Sequence, residues 1–400
     1  MNPSSIFGSL ESLNTTKYEL LNKDTVLLEF CRSNSLASKF NIIKKFSTKV
    51  YNPFYLMDNL QFDYWMDNRA IPSNREHLDK LLLSLNLSDD DRFNLLIVNH
   101  ACSLNDTFWI REKYELNLYN MPLTFEDVNL YKGFKDHVGL ITFFGNTSSL
   151  GGRIKTPELT TQGMLRKAWR VIKENGKESI YLYKAGTYGF SNSGNENYSE
   201  VLACKVAEIL GLNHVTYELV NWDSIECCRC ELFTSEKVGY YPMKEFIADK
   251  FGTKVIWNYS MVSSILGESL IAQLDDLMVF DFIIENQDRH FSNFGLLLDN
   301  DTGDVLGLAP IFDNGYSLLN FETSSTFKDY DYYKSSTGTF NIPNVNQATE
   351  VIKKNPSRYK HWAKMLMLHL DELNIKGIPN DRVEAVKKLI TVRCKYIQSL

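Results

Sequence analysis

Nothing in this chain marks a membrane, an export route or a nucleic-acid grip. No apolar run approaches the roughly 20 residues that a bilayer-spanning helix needs, and the opening Met-Asn-Pro-Ser-Ser lacks a basic stretch leading into an apolar core. Basic residues are outnumbered: 43 Lys and Arg against 49 Asp and Glu give a formal charge of −6, with no overall excess to seek phosphate backbones. Cysteine is sparse, and its seven copies are odd in number and irregular in spacing, which fits reduced thiols and a cytoplasmic setting. Cys227, Cys228 and Cys230 lie close together, but a structural zinc site wants a second ligand pair and none follows, so strand thiols against a core are expected. Internal repeats and low-complexity tracts are missing, and so is a full Gly-x-Gly-x-x-Gly phosphate loop.

What is present is an ordinary folded composition, 44% hydrophobic and 23% charged, over 400 residues, a length that suits two or three domains. The most chemical stretch is 286–295, Asn-Gln-Asp-Arg-His-Phe-Ser-Asn-Phe-Gly, followed at 309–315 by Ala-Pro-Ile-Phe-Asp-Asn-Gly. It holds a carboxylate, Asp288, then a carboxamide, Asn293, then a second carboxylate, Asp313. Between the last two, Gly295-Leu-Leu-Leu-Asp and Asp304-Val-Leu-Gly-Leu read as short strands around a tight turn, with Gly303 suited to positive φ. A hairpin returns its ends to one place, so Asn293 and Asp313 are expected to meet at its open end with Asp288 just before them. Oxygens of this kind suit Mg²⁺, which takes a few protein ligands and completes its shell with phosphate and water. Each residue alone is a common turn former. Together, in this order and after an apolar helix, they are the groups that phosphoryl transfer needs.

Along the rest of the chain, 20–30 and 40–66 are apolar and aromatic without a clean period. Leu78, Leu81, Leu82 and Leu85 have helical spacing, and Ser88 with the acidic run 89–91 is expected to cap a second helix carrying Phe93, Leu96, Ile97 and His100. A helix pair of this sort can read DNA, but the acidic run would repel phosphate, so no direct nucleic-acid contact is expected. From Val138 an apolar segment leads into a polar loop, then a turn at 160–163 enters a strand. Glu174-Asn-Gly-Lys turns the chain, and a second strand ends at Lys184, a strong hairpin signal. Val201, Leu202, Val206, Ile209 and Leu210 form one face of a helix over 198–210, with Gly211 at its stop and Glu200 on its first turn, where a carboxylate suits the positive helix end. Two further strands are expected at 215–220 and 226–233. A single helix is expected over 261–285, apolar almost all round at 277–284 and therefore buried. A loose aromatic and acidic stretch at 316–343 and two terminal helices follow. The first helix carries Trp362, Leu366, Leu368 and Leu370, and the second runs from the cap Asn380-Asp381 to Ile397.

Asp288-Arg-His-x-x-Asn293, with Asp313 following, resembles the catalytic and metal-binding motifs of HipA-like bacterial serine/threonine kinases, a pattern that phosphoinositide kinases share. The resemblance covers the chain from about residue 140 onward. It implies an α+β, two-lobed protein-kinase-like fold with a small β-rich lobe at 141–236 and a larger, mostly helical lobe at 237–400. A mixed N-terminal extension at 1–140 precedes them, without an assigned role.

The implied cofactors are ATP and Mg²⁺. Asp288 would position the incoming hydroxyl, Arg289 and His290 would brace the loop, and Asn293 and Asp313 would hold metal. Lys184 would hold nucleotide phosphate, Glu200 would orient that lysine, and Glu231 with Phe233 would form the adenine hinge. Gly163 and Lys167 are what remains of the phosphate loop. Two assignments stay open: Glu200 as a plain helix-start acid, and His290 as the general base. In this family a phosphate-loop hydroxyl can be autophosphorylated, here Thr160 or Thr161. The implied partners are a protein substrate and a small DNA-binding antitoxin, in a toxin–antitoxin or growth-regulating role. A lipid or small-molecule kinase would keep the same site but call for a basic substrate loop, whereas Glu322, Asp329 and Asp331 make this one acidic. A catalytically silent partner of an antitoxin would normally have lost Asp288 or Asp313.

Overall fold

The computed structural model describes residues 16–33, 36–88, 92–189, 192–252, 259–332 and 345–400. The first elements are β1 (Lys17–Asn22), β2 (Thr25–Arg32), β3 (Phe40–Lys45), α1 (Asn59–Arg69), α2 (Leu78–Leu85), α3 (Arg92–Val98), β4 (Phe108–Glu112), α4 (Phe125–Val128) and α5 (His137–Phe144). The four strands form an antiparallel sheet in the order β3-β2-β1-β4. Tyr18, Phe30, Phe40, Phe62 and Phe93 fill one core at ring distances of 4.8–6.1 Å, mostly edge to face. Those rings come from β1, β2, β3, α1 and α3, which is why no single stretch shows a clean period. α1 is stopped at its start by a reciprocal capping box between Asp58 and Gln61. The helix expected to include His100 ends at Val98. His100 sits beyond it at φ 56°, its ring meeting the Ile110 carbonyl at 3.1 Å. The acidic run expected to cap that helix, 89–91, lies outside the described residues.

The middle of the chain holds β5 (Lys167–Glu174), β6 (Lys177–Lys184), α6 (Glu196–Ile209), β7 (Tyr217–Trp222) and β8 (Ile225–Glu231), with the strands in the order β5-β6-β8-β7. Asn175 and Gly176, both at positive φ, make the tight β5–β6 turn and set Lys167 opposite Lys184. Cys227, Cys228 and Cys230 are buried thiols in β8. α5 runs across residue 140 and packs against both α2 and β5.

The remaining elements are β9 (Val238–Pro242), α7 (Met243–Phe251), α8 (Tyr259–Ile265), α9 (Glu268–Ile284), β10 (Gly295–Asp299), β11 (Val305–Leu308), α10 (Val345–Lys354), α11 (Pro356–Leu368) and α12 (Asn380–Ser399). The single helix expected over 261–285 is two helices. Gly267 adopts extended backbone (φ −69°, ψ 160°) between them, so α9 starts afresh at Glu268. Leu370 lies past α11 in a short 3-10 turn, and α12 follows Pro379 without a side-chain cap from Asn380 or Asp381. The expected hairpin is β10–β11, joined by β9 into a three-stranded sheet, with Gly303 at φ 79° in its turn. From 316 to 332 the chain is a run of turns that buries Leu318, Leu319, Phe327 and Tyr332 rather than a loose loop, and 333–344 lie outside the described residues. Among the described residues no helix is long and apolar enough to cross a membrane.

The N-terminal module docks on the hairpin and on the strand that joins it. Asn22 donates to the Asn300 carbonyl at 2.8 Å, Tyr51 to the Asp301 carbonyl at 2.7 Å, and Tyr240 to the Asn105 carbonyl at 2.6 Å. A parallel bridge between His214 and Ile311 ties the middle sheet's end to the chain leaving the hairpin.

Candidate active site

A cleft of about 400 Å³ opens where the middle sheet faces the open end of the hairpin. The β10–β11 register runs Leu296 to Leu308, and Ala309 donates to the Gly295 carbonyl at 2.9 Å. The chain therefore enters from Asn293 and leaves toward Asp313 side by side. Asp288, Asn293 and Asp313 all line the cleft, as do His290, Lys167, Lys184, Glu200, Gly163, Glu231 and Phe233.

Arg289 lies behind the cleft wall. Its guanidinium meets the Asp281 carboxylate of α9 at 3.0 Å, donates to the Asn293 carbonyl at 2.9 Å, and also reaches the Phe312 carbonyl and the Asn314 side chain. Arg289 and Asp281 are both fully buried. One planar cation thus binds the helix, the Asp288 turn and both neighbours of Asp313, which uses the fixed fork of guanidinium donors. Asp281 and Asn314 were missed by motif reading. Asp281 left a signal nonetheless: it is the one charge in the otherwise apolar stretch 277–284, and a buried charge needs a partner.

Asp288 is set in a compact turn. Its amide donates to Asn286 at 2.9 Å, and its carbonyl accepts from the His290 amide at 2.8 Å and from Asn293 Nδ2 at 3.1 Å. That last bond leaves the Asn293 side-chain oxygen as its ligand atom. His290 Nδ1 accepts from the Ser292 amide at 3.2 Å, which assigns the ring proton to Nε2, 3.9 Å from the Asp288 carboxylate.

Lys184, at the end of β6, donates to Glu200 and, at 2.6 Å, to Asp313. Glu200 in turn accepts from the Asn314 amide at 2.8 Å. α6 begins at Glu196, so Glu200 is on the second turn and not the first. Its place is explained by Lys184 rather than by the helix end, and Glu196 is the first-turn acid, bonded to the Thr187 hydroxyl at 2.7 Å. Burial disfavours the Lys184 charge, but Asp313 and Glu200 outweigh it and hold the ammonium protonated well above its usual range. Burial likewise opposes ionisation of Asp313, and Lys184 and Lys167 overcome it, holding this carboxyl far below the usual range. Asp313 also adopts a left-handed backbone, φ 57°, an uncommon conformation that Asp tolerates better than most side chains.

The expected loop residues close the other side. Gly163 has φ 94°, and a Cβ there would collide with the Lys167 ammonium, which donates to the Gln162 carbonyl at 3.0 Å. Burial, then Arg75 and Lys184, bring Lys167 down to about 7. Thr160 is buried, its hydroxyl donating to the Cys102 carbonyl at 2.7 Å, and the Thr161 hydroxyl donates to the Pro157 carbonyl at 2.8 Å. At the far end Leu232 donates to the Ile180 carbonyl at 2.8 Å, and the Phe233 ring stands 5.5 Å from Phe312 and 5.7 Å from Tyr240. The Glu231 side chain is exposed and faces Lys177 at 3.4 Å.

No protein-family model and no curated protein matches the sequence. Among solved structures, the chain is similar to HipA in the complex of HipA, HipB and operator DNA from the Shewanella oneidensis MR-1 toxin–antitoxin system. That match has a TM-score of 0.56 at 14% identity, over 96% of this chain and 99% of that one. It is also similar to the Helicobacter pylori proinflammatory kinase CtkA, with a TM-score of 0.47 at 17% identity, over 61% of this chain and 94% of that one.

Proposed function

This chain has the HipA fold, an α+β kinase-like architecture, and we propose that it is an ATP- and Mg²⁺-dependent serine/threonine protein kinase of HipA type. The observation that carries this reading is Lys184 held between Glu200 and Asp313, since phosphoryl transfer by kinases requires a strand lysine and a metal-binding aspartate fixed together. The donor set fits Mg²⁺. Asn293 and Asp313 offer oxygens beside Asp288 in one cleft, and among the described residues no group of three or more His, Cys, Asp or Glu could cage a metal alone. A partial set of this kind leaves room for phosphate and water, the habit of Mg²⁺. Bound there, the metal would neutralise charge on the phosphates.

The chain's own residues supply the rest. Lys184 stays protonated and pairs with nucleotide phosphate, while Gly163 and Lys167 cover the phosphates from the loop. Adjacent strand residues point to opposite sides, so with Leu232 bonded to β6 the Glu231 carbonyl and Phe233 amide face away from it, where an adenine edge can meet them. Asp288 positions the substrate hydroxyl and takes its proton. His290, with Nδ1 already accepting from Ser292, is a loop brace rather than the base. Arg289 fixes the spacing of Asp288, Asn293 and Asp313 from behind. The substrate is a protein hydroxyl, and a growth-regulating role with a small DNA-binding antitoxin follows the pattern of the Shewanella complex, which contains HipB and operator DNA.

Calorimetric titration of ATP with and without Mg²⁺ tests the site. Wild type is expected to bind tightly only with Mg²⁺, and Asp313→Ala to lose that dependence. An equal Mg²⁺ dependence in both would remove Asp313 from the metal site.

A further inference from the structure

The N-terminal module lines the cleft at Asn68 and at 103–105, and its stretch 68–76 bonds mainly to the loop 159–166, with Asn68 also accepting from Lys244 at 2.8 Å. Ile71 donates to the Leu159 carbonyl at 2.8 Å and Glu76 to the Met164 carbonyl at 2.9 Å. From the loop side, Gln162 Nε2 donates to the Asn68 carbonyl at 2.8 Å and to the Ala70 carbonyl at 3.1 Å. Between them lies Arg75, buried, whose Nη1 and Nη2 donate to the carbonyls of Thr161, Gln162 and Leu165. The Gln162 carbonyl is shared: it takes Arg75 at 3.1 Å and Lys167 at 3.0 Å. The stretch is itself anchored, because Arg92 donates to the Ala70 and Ile71 carbonyls at 3.0 and 2.7 Å, and Arg69 pairs with Asp106 at 2.8 Å.

Arg75, like the buried Arg382, which donates to the Leu319 and Glu322 carbonyls, bonds to backbone carbonyls rather than to a carboxylate. Arg69 and Arg289 each hold a carboxylate in a two-point ion pair, the usual way to settle a buried guanidinium. Arg75 spends both terminal nitrogens on loop carbonyls, and its Nε meets no acceptor among the described residues. A cation placed inside the protein to bind carbonyls alone, all on one loop, makes sense if the shape of that loop is what it secures.

We infer that residues 68–76 are a clamp through which the N-terminal module seats the loop 159–166 over the cleft, with Arg75 as a positioning residue that acts through that loop rather than by touching nucleotide. This rests on the reading of the loop as the phosphate cover. It gives the module a part in the reaction: the site is complete only when the module is docked.

Hydrogen exchange of the full-length protein, paired with ATP kinetics, tests the clamp on wild type, Arg75→Met, Arg75→Lys and Gln162→Ala. Exchange at 159–166 is expected to speed up about tenfold or more in Arg75→Met, and less in Arg75→Lys and Gln162→Ala, since each lost bond to a charged donor matters on that scale. Exchange in α12 is expected to stay unchanged. KM for ATP is expected to rise more than kcat falls, with partial rescue by Arg75→Lys. A folded Arg75→Met protein with wild-type exchange at 159–166 overturns the clamp. Should Arg75→Met not fold, Gln162→Ala decides in the same way, because its side chain is exposed on the loop. If wild type neither binds nor turns over ATP, the kinase reading falls, while the exchange comparison still decides the clamp.

Discussion

Lys184 and Asp313 are 129 positions apart in the chain and 2.6 Å apart in space. The lysine comes from the middle sheet and the aspartate from the chain leaving the β10–β11 hairpin, so their contact sets the two halves of the cleft against each other. Glu200 joins from α6, and Asn314, next to Asp313, bonds back to Glu200. In a site assembled from three separate elements in this way the charged groups position one another, which is what in-line phosphoryl transfer asks of its surroundings.

The Arg289–Asp281 pair should behave as a buried ion pair does. Arg289→Met strands Asp281 in the core and is expected to cost about 3–5 kcal/mol in urea unfolding, whereas the double variant Asp281→Leu/Arg289→Met is expected to recover much of that loss. Neither is expected to transfer phosphate, because the bonds to Asn293, Phe312 and Asn314 are gone in both. Full activity in the double variant would show that Arg289 serves stability alone.

Nucleotide binding is expected to take up a proton at alkaline pH. Lys167 sits at about 7 because of burial and the cations Arg75 and Lys184, with Asp313 and Glu200 pulling the other way. Above that pH the free amine is neutral, and an arriving phosphate favours its charged form, so the complex holds one proton more than the free protein. ATP affinity should therefore fall as pH rises above about 7. Calorimetry at pH values near 8 in buffers of different ionisation enthalpy measures the uptake, which Lys167→Met is expected to abolish.

Phosphorylation at Thr160 or Thr161 is incompatible with the loop position seen here. Both hydroxyls are bonded to backbone carbonyls, and a phosphate adds up to about two negative charges to the cleft that Asp313 also lines. Protein phosphorylated in this loop, located by mass spectrometry after incubation with ATP, is expected to lose protection at 159–166 and to bind ATP more weakly. Phosphate on either residue with unchanged ATP binding would contradict this.

The parts of the fold that follow local rules could be read from the sequence. Asn175-Gly176 forced the β5–β6 turn, Gly303 the second hairpin, and the leucine spacing α2. What escaped reading depends on contacts distant in sequence. The aromatic core of the N-terminal sheet draws one or two rings from each of five elements. β9 became a strand because β10 pairs with it, and the role of Glu200 is set by Lys184 rather than by its place near a helix start. Gly267 was overlooked inside an apolar run although glycine is the residue most ready to break one. The hydrogen bonds of Arg75 had no sequence signal, since their partners are backbone carbonyls, which every residue carries.

The most direct measurement is transfer of label from ATP's terminal phosphate to protein, with wild type beside Asp288→Asn in the same cell extract. Wild type is expected to label protein on serine or threonine. Asp288→Asn is expected to fold, bind ATP with Mg²⁺ as wild type does, and lose transfer by roughly 10²–10⁴-fold, the span of a positioned acid–base group. Equal labelling by the two proteins, or none by wild type with ATP bound, would contradict a kinase built on Asp288.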